Sequence, residues 1–295
     1  MSVELARRGM VRRFEGPVRL RLGLQAAALL AALLLASASP SHAQQNLLIR
    51  KTDNTVLSIP LSDIVSITFS AAPAVAAGNT VSDVDGNVYG TVRIGTQVWM
   101  AENLRTARYR NGQPIDHPGA DNQAWASIRS GAYAWYNNDE YVFKRPYGAL
   151  YNGFAVSNPN GLCPASWHVP SQSEWEILRE FAGGGRVAGG KLKSGRTAPD
   201  PHPRWDSPNA SASNETGFSA VPSGQRHPGG YYQGLGRGAG FWTSTLSGAA
   251  FNSPAHIYTR SWEINSNSGE IVPGGGAGAG GAAGNTGLSV RCVKD

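Results

Sequence analysis

The stretch that decides the fold runs from Gly161 to Leu178 and reads GLCPASWHVPSQSEWEIL. Ser171 is followed three residues later by Glu174, which is the capping-box spacing of a helix N-terminus. Apolar side chains then recur at helical spacing, at Trp175, Leu178 and Phe181. The three glycines 183–185 end this pattern. The stretch therefore predicts an amphipathic helix that begins after Ser171 and ends before the glycines.

The same stretch contains a possible thiol site, because Cys163 precedes His168 by five residues. A nucleophilic cysteine needs a lowered thiol pKa and a nearby base. Five residues fit no helix face, and Pro164 and Pro170 stiffen the path around the pair. The only other cysteine is Cys292, and an even number of cysteines in an exported protein favours a disulfide. We therefore predict no catalytic residue here.

Residues 1–43 have the layout of a secretory signal peptide. A basic lead precedes the apolar run LGLQAAALLAALLLA, and small residues ending in Ser41-His42-Ala43 follow it. The run is short for a membrane span of about 20 residues. We expect export to the surface, the medium or the periplasm of a Gram-negative-type bacterium, with no stable span after cleavage.

The charge of the chain lies mostly in this leader. The formal net charge is +6, from 26 basic and 20 acidic residues, and residues 1–43 hold six Arg and two Glu. The remainder carries about +2, which excludes a strongly basic nucleic-acid-binding surface. We expect no nucleic-acid partner and no cofactor.

The rest of the chain divides by composition into three parts. Residues 46–70 alternate apolar and polar side chains, which predicts a short β module. Residues 71–82 are small and neutral, which is typical of a linker. Residues 83–295 form the main domain. Its low charge and many glycines favour a loop-rich fold over a helical bundle.

The main domain opens with DVDGNVYGTVRIGTQVWMAENL, which contains turn signals at Asp85-Gly86 and Gly95-Thr96. Alternating strands between and after these signals predict β-hairpins. The spacing of the acidic residues also suggests a calcium loop, but an EF-hand needs Gly at position six and Glu at position twelve. Counted from Asp83, Gly86 is at position four and Ile94 is at position twelve, so the segment does not fit an EF-hand calcium loop.

Other candidate sites are weak. The segment GRVAGGKL resembles a phosphate-binding loop but has Leu192 where Ser or Thr must hold magnesium. No two histidines are spaced i, i+4, so we predict no metal site. Glu263 and Glu270 form no assignable carboxylate pair. The aromatic residues between 105 and 160 favour packing under long loops over a ligand-stacking surface. The histidines considered are His117, His168, His202, His227 and His256.

An ordered set of motifs resembles a known family. DVDGNVYGTVRIGTQVWMAENL, GLCPASWHVPSQSEWEIL, VAGGKLKSG, NETGFSAVPSGQR, GFWTST and LSVRCVKD occur in this order over residues 83–295. Together they resemble the Fibrobacter succinogenes major paralogous domain, which is similar to the C-type lectin-like fold and to formylglycine-generating-enzyme-like domains. The resemblance implies an α+β fold with small antiparallel sheets, one or two helices and long loops. It also implies a disulfide between Cys163 and Cys292.

The resemblance implies no activity, because the paired active-site cysteines of formylglycine-generating enzymes and the sugar motifs of calcium-dependent lectins are missing. Loops on a rigid scaffold favour an exported, non-enzymatic binding or surface-adhesion module for glycans or cell-surface polymers. The alternatives are an exported enzyme, thiol-dependent or a carbohydrate hydrolase, and a purely structural surface component. Candidate contact residues, expected in late loops, are Arg226, Tyr231, Tyr232, Arg260, Trp262 and Asn265.

Overall fold

The computed structural model describes residues 80–247, 258–274 and 282–295, and four short strands nearer the start of the chain. These four strands are Ala6–Arg7 (β1), Met10–Val11 (β2), Asn46–Arg50 (β3) and Val56–Pro60 (β4). The chain divides into two units, Met1–Pro73 and Ala74–Asp295. In the first unit β1 pairs with β2, and β3 pairs with β4, both antiparallel.

The pair β3 and β4 confirms the strands that alternation predicts in the N-terminal β module. Leu47 pairs with Ile59 and Ile49 pairs with Leu57 in the antiparallel register. The last ten residues of the predicted module, 61–70, lie outside the described residues, as does most of the predicted signal peptide.

The start of the main domain differs from the predicted boundary. Residues 71–79 of the predicted linker lie outside the described residues, but Thr80–Ser82 (β5) is a strand. It pairs antiparallel with Val88–Ile94 (β6), and Val81 faces Tyr89. The main sheet therefore begins before Asp83, because backbone pairing with β6 recruits a stretch whose composition resembles a linker.

The second unit contains short strands and short helices. The further strands are Gln97–Met100 (β7), Tyr133–Ala134 (β8), Leu150–Tyr151 (β9), Trp167–His168 (β10), Ser223–Arg226 (β11), Tyr232–Leu235 (β12), Gly238–Leu246 (β13), Tyr258–Asn265 (β14), Ile271–Pro273 (β15), Ala282–Ala283 (β16) and Val293–Lys294 (β17). The α-helices are Asn122–Ser127 (α1), Glu140–Tyr147 (α2), Gly153–Val156 (α3), Gln172–Phe181 (α4) and Ala188–Leu192 (α5), and Tyr136–Asn138 is a 3₁₀ turn.

Two sheets organise these elements. One has the strand order β10-β17-β7-β6-β5, and the other has the order β12-β11-β13-β14-β15, with β16 also paired to β14. Strands β8 and β9 form a separate pair. Most pairs are antiparallel, while β11 and β13 are parallel. Mixed sheets with few, short helices place the domain in the α+β class.

The turn between β5 and β6 confirms the first predicted hairpin. The Asp83 carboxylate accepts hydrogen bonds from the backbone nitrogens of Asp85 (3.0 Å) and Asn87 (2.9 Å) and from the Tyr89 hydroxyl (2.5 Å). Gly86 takes the left-handed conformation that the turn requires, with φ of +79°. The acidic residue that suggested calcium therefore organises the turn.

Helix α4 begins as its capping box predicts. The Ser171 hydroxyl accepts a hydrogen bond from the Glu174 backbone nitrogen (3.3 Å), and the Glu174 carboxylate accepts one from the Ser171 backbone nitrogen (2.7 Å). These bonds satisfy two helix-end donors. Trp175 and Leu178 are buried, as predicted.

The prediction that Phe181 is also buried is wrong, because 61% of this residue is exposed. It lies in the last turn of α4, and its ring packs over the turn that joins β6 to β7. A Cβ atom added at Gly95 would lie 2.8 Å from the ring. The core-facing side of α4 is continued instead by the C-cap residue Ala182, which is 1% exposed and belongs to the cluster of Trp175 and Leu178.

Strand β13 separates two apolar clusters. Phe241 contributes to a cluster with Trp99 and Trp175, while Trp242 contributes to the cluster that contains Tyr151 and the disulfide. Successive side chains of a strand point to opposite faces, so adjacent aromatic residues of β13 serve both clusters. Trp99 and Trp175 pack edge to face with ring centroids 5.0 Å apart.

The disulfide that the resemblance implies is present. Cys163 and Cys292 are bonded, with their Cα atoms 5.9 Å apart and 129 residues apart in sequence. Both are buried in the cluster of Trp242. The bond joins the segment before α4 to the segment that leads into β17.

The glycine pair of the segment resembling a phosphate-binding loop has a packing role. Gly189 and Gly190 lie inside α5, not in a strand-to-helix loop. A Cβ atom at Gly189 would lie 2.1 Å from the Glu270 carbonyl oxygen, and one at Gly190 would lie 2.4 Å from the Ser211 carbonyl oxygen. The glycines are needed because two backbones approach the helix at contact distance.

The aromatic segment between residues 105 and 160 mostly packs, as predicted. Its buried aromatic residues are Tyr109, Trp125, Tyr133, Trp135, Tyr136, Tyr147, Tyr151 and Phe154. Tyr141 and Phe143 are the exceptions, since Tyr141 is 55% exposed and Phe143 is only partly buried. In the part of the chain that the structure describes, no helix is both long and apolar enough to cross a bilayer.

Candidate functional site

A groove of about 340 Å³ lies on the sheet that contains β11, β12, β13 and β14. Its floor is lined by residues without side chains, at Gly224, Gly234, Gly238 and Gly240. Gly224 has a φ of +62°, and a Cβ atom there would lie 2.5 Å from the Gln233 carbonyl oxygen. Gly234 leaves the surface open, since a Cβ atom there would meet only the Gly224 Cα atom at 3.7 Å, whereas Gly224 and Gly240 allow the close approach of Gln233 and Leu288.

Polar side chains line the walls of the groove. Gln225 of β11 pairs directly with Gln233 of β12. On the other side, Glu263 and Asn265 of β14 pair with glycines of β13. Among the described residues, no hydrogen bond or ion pair engages the side chains of Gln225, Gln233 or Glu263. Amides and a carboxylate are thus available to a ligand.

The groove is also lined by a cation, Arg237. Arg237, in the turn between β12 and β13, lies 3.9 Å from the Asp206 carboxylate, and both side chains are largely exposed. At this distance and exposure the pair is weak. The groove therefore combines one cation and one anion with neutral amides, so it has no strong net charge.

The buried Lys193 supports the wall made by Asn265. Its ammonium group donates hydrogen bonds to the carbonyl oxygens of Asn265 (3.1 Å) and Ser268 (2.9 Å). Burial lowers the pKa of Lys193 to about 8, so the group is still mostly charged at neutral pH. The end of β14 is anchored by charge-assisted bonds that leave the Asn265 side chain free.

The structure places the six predicted contact residues in different environments. Of the six, only Tyr231 lies in a loop, and the other five lie in β11, β12 and β14. Asn265 lines the groove. Arg260 is exposed on β14, on the face opposite to Glu263 and Asn265 by alternation. The expectation that these residues come from late loops is therefore wrong for five of them.

Trp262 does not form part of a surface. It is 1% exposed and pairs with Phe241 in the core between β13 and β14. Alternation along TRSWEIN allows either face to point inward, and tertiary packing buries the face of Trp262. A side chain without accessible area cannot touch a ligand, so Trp262 is a core residue and the prediction that it contacts a ligand is wrong.

Arg226 is also buried. Its guanidinium lies between the rings of Trp125 (4.4 Å) and Tyr232 (4.9 Å), and its Nε donates to the Gly230 carbonyl oxygen (2.7 Å). The Tyr232 hydroxyl donates to the Asn138 side chain (2.7 Å). Arg226 therefore joins α1 to the β11–β12 hairpin by cation–π contacts and does not face the groove.

Four groove residues escaped prediction, namely Gln225, Gln233, Arg237 and Glu263. The segments SGQR, YQGLGRGAG and SWEIN contain them beside glycines and buried neighbours. Glycine at every second position of GRGAG is the signal that could have indicated a strand with an open face.

Cys163 cannot act as a thiol nucleophile, because it is bonded to Cys292. His168 has another role. Its Nδ1 lies 2.6 Å from an Asp295 carboxylate oxygen and its Nε2 lies 2.8 Å from a Glu174 carboxylate oxygen. Burial lowers the pKa of His168, but the bonds to the two carboxylates outweigh burial, so the pKa is raised. His168 thus bridges Asp295, the residue after β17, to the capping box of α4.

This bridge predicts a pH-dependent stability. A raised pKa in the folded state stabilises the protein below the ordinary pKa of about 6.5, and this contribution disappears as the pH rises through the folded value. The partner carboxylate of Glu174 has a lowered pKa, because hydrogen bonds from Ser171 and then His168 outweigh burial. Its contribution is lost only as the pH falls through that lowered value. The bridge therefore stabilises the folded protein most at mildly acidic pH.

We expect His168→Gln to lower the melting temperature by about 2–4 °C near pH 5.5, because a half-exposed pair contributes no more than about 1 kcal/mol. The difference from the unchanged protein should shrink toward pH 8.5. Thermal unfolding followed by circular dichroism across this range measures it. Asp295→Asn should show the same trend, and a difference that is constant with pH would contradict the bridge.

Metal ligands do not cluster in the described residues, where no group of three or more His, Cys, Asp or Glu side chains could hold an ion. His117 stacks on Tyr133 and His227 stacks on Tyr231. His202 hydrogen-bonds the Tyr147 hydroxyl. His256 lies outside the described residues.

The structure defines an α+β domain that is closed by one disulfide and carries a polar groove. The family model described as the Fibrobacter succinogenes major domain matches residues 92–294. The chain belongs to this family, as its motifs predict. Neither a curated protein nor a solved structure matches the chain.

Proposed function

We propose that the protein is an exported, non-enzymatic binding module and that the glycine-floored groove holds a hydroxyl-rich ligand, a glycan of a cell surface or of a secreted polymer. The observation that carries the proposal is the set of unengaged polar side chains around an open concavity. Sites for small ligands are concave and place a few polar groups precisely. A volume of about 340 Å³ suits a sugar ring.

The chemistry of the walls supports a glycan. Sugar hydroxyls both donate and accept, which matches the amides of Gln225, Gln233 and Asn265. The Glu263 carboxylate adds a charged acceptor, and hydrogen bonds to charged groups are the stronger ones. Because Arg237 balances this charge, the groove favours a neutral ligand.

An exported enzyme is the second candidate, and the groove supports it less. Glycoside hydrolases use two carboxyl groups that flank the scissile bond, whereas Glu263 is the single carboxylate among the described residues that line the groove. Cys163 has no free thiol. A purely structural surface component would have no use for an accessible groove with unengaged polar groups.

The proposal includes export and fold. Export is supported by the signal-peptide pattern of residues 1–43. A C-type lectin-like fold is supported by the motif resemblance, by the short helices and by the disulfide near the end of the chain. Recovery of the protein from culture medium or the cell surface, with residues 1–43 removed, tests export.

Binding is tested with the purified protein on a glycan array, followed by calorimetry with each hit. We expect Gln225→Ala or Gln233→Ala to weaken binding about 3- to 10-fold and Glu263→Gln about 10-fold or more, because each removes a hydrogen bond to the ligand. Arg260→Ala is the matched control, since it lies on the same strand outside the groove. Hits that none of the groove variants weaken would overturn the proposal.

A further inference from the structure

The β11–β12 hairpin carries two kinds of side-chain pair on its two faces. Its register pairs Gln225 with Gln233 and Arg226 with Tyr232. The backbone nitrogen of His227 donates to the Tyr231 carbonyl oxygen (2.8 Å), which continues the register by one pair. Because side chains alternate between faces, the pair His227 and Tyr231 shares a face with the groove glutamines.

The pair at the tip of the hairpin is aromatic and accessible. The rings of His227 and Tyr231 are stacked with centroids 4.3 Å apart and an interplanar angle of 17°. The Gly229 backbone nitrogen donates to His227 Nδ1 (3.0 Å), which holds the imidazole in place. Tyr231 is 49% exposed. The tip therefore presents a supported aromatic surface whose ring orientation is already set.

The opposite face has no such surface. Arg226 is fully buried, and Tyr232 is half-buried and holds the guanidinium of Arg226 against α1. The contacts on this face anchor the hairpin to the domain. The accessible aromatic surface and the unengaged amides consequently lie on the same side of a hairpin that is fastened from behind.

We propose that the ligand is a neutral oligosaccharide of at least two sugar residues, with one residue in the groove and a following one stacked on Tyr231. Two residues along a strand separate the glutamine pair from the aromatic pair, which is about 7 Å. A single sugar ring in the groove does not cover both. The inference rests on the proposed function and adds a second subsite and a minimum ligand length.

The chemistry of the two subsites is complementary. Amides and a carboxylate in the groove bind hydroxyl groups at the edge of a sugar ring. An aromatic face binds the apolar C–H face of the next ring. The His227–Tyr231 pair offers ring faces and contains no carboxylate or guanidinium, so this subsite selects by shape and stacking.

The test uses purified protein and ladders of cello-, xylo-, laminari- and malto-oligosaccharides from one to six residues, measured by calorimetry. We expect at least one ladder to bind, with affinity that rises about tenfold or more from the monosaccharide to the disaccharide or trisaccharide. Tyr231→Ala should weaken the binding of the longer ligands about 3- to 10-fold and leave the affinity for the monosaccharide unchanged. Tyr231→Phe should retain binding.

Tyr141→Ala is the matched control, because Tyr141 is similarly exposed on α2, away from the groove. If affinity does not depend on chain length, or if the two alanine variants behave alike while Gln225→Ala still weakens binding, the second subsite is wrong and the groove function stands. If no ladder binds, both proposals fail for neutral glycans. Tyr231-dependent binding of an extended peptide library in place of the ladders would also overturn the proposal.

Discussion

Loss of the Cys163–Cys292 disulfide is expected to lower the free energy of unfolding by about 3–5 kcal/mol. The bond closes a loop with a sequence separation of 129 residues, and the chain-entropy treatment assigns about 5 kcal/mol to a loop of this length. Both half-cystines are buried in an apolar cluster, so the folded state protects the bond. Urea unfolding of the purified protein with and without reductant measures the difference.

The double variant Cys163→Ala/Cys292→Ala provides the matched control. It should unfold at the lower urea concentration regardless of reductant, because it has no bond to break. Its slope of free energy against urea reports whether the unfolded chain has expanded. A reduced protein within about 1 kcal/mol of the oxidised one would contradict the constraint.

Replacement of Arg291 should be equally damaging. Its guanidinium is buried and donates to the side chain of Asn103 (2.8 Å) and to the carbonyl oxygens of Met100, Phe218 and Ser219. Burial lowers the pKa of Arg291 to about 9, which leaves it charged at neutral pH. We expect Arg291→Met to cost about 3 kcal/mol or more, because several buried acceptors lose their donor together.

Arg291→Lys tests the geometry of this network. A single ammonium group cannot reach the acceptors on both segments from one position, so we expect the lysine variant to recover little stability. Arg93→Met is the matched control, since Arg93 is exposed on β6 and surface changes usually stay within about 0.5 kcal/mol. Equal losses for Arg291→Met and Arg93→Met in urea unfolding would contradict the network.

These two features have a common consequence for the groove. Cys292 and Arg291 both lie in the last segment of the chain. The disulfide joins this segment to the residues before α4, and the hydrogen bonds of Arg291 join it to the segments around residues 100 and 218. A short terminal segment thus connects parts of the domain that are distant in sequence. The sheet that carries the groove packs against this assembly, because the Trp242 backbone nitrogen donates to the Ser289 carbonyl oxygen (3.0 Å) and the Ser289 backbone nitrogen donates to the Gly240 carbonyl oxygen (3.0 Å).

Local signals were the dependable part of the sequence. The capping box at Ser171 and Glu174 needs only a few neighbouring residues, so its bonds form as the spacing predicts. The same holds for the turns at Gly86 and Gly95, where one glycine decides the backbone conformation. Phe181 is the local failure, because helical spacing fits both Phe181 and the next residue, Ala182, and it is Ala182 that packs in the core.

The site was much less predictable. Sequence indicated polar and aromatic residues near positions 226–265, but not which of them are accessible. Arg226 and Trp262 have the composition of contact residues and are buried, while the glutamines at 225 and 233 looked unremarkable and line the groove. In β11 and β14, neighbouring residues point to opposite faces, so an error of one position exchanges core for surface.

The sequence by itself determined the family, the start of helix α4, the turns at Gly86 and Gly95 with strands β6 and β7 and, through the family resemblance, the Cys163–Cys292 bond. These depend on motifs and on short-range hydrogen bonding, which a linear pattern contains. Only the tertiary structure decided that the face of β14 carrying Glu263 and Asn265 is open and that four glycines from three strands make a floor. That outcome depends on which sheet faces pack against other elements, and packing joins residues that are distant along the chain.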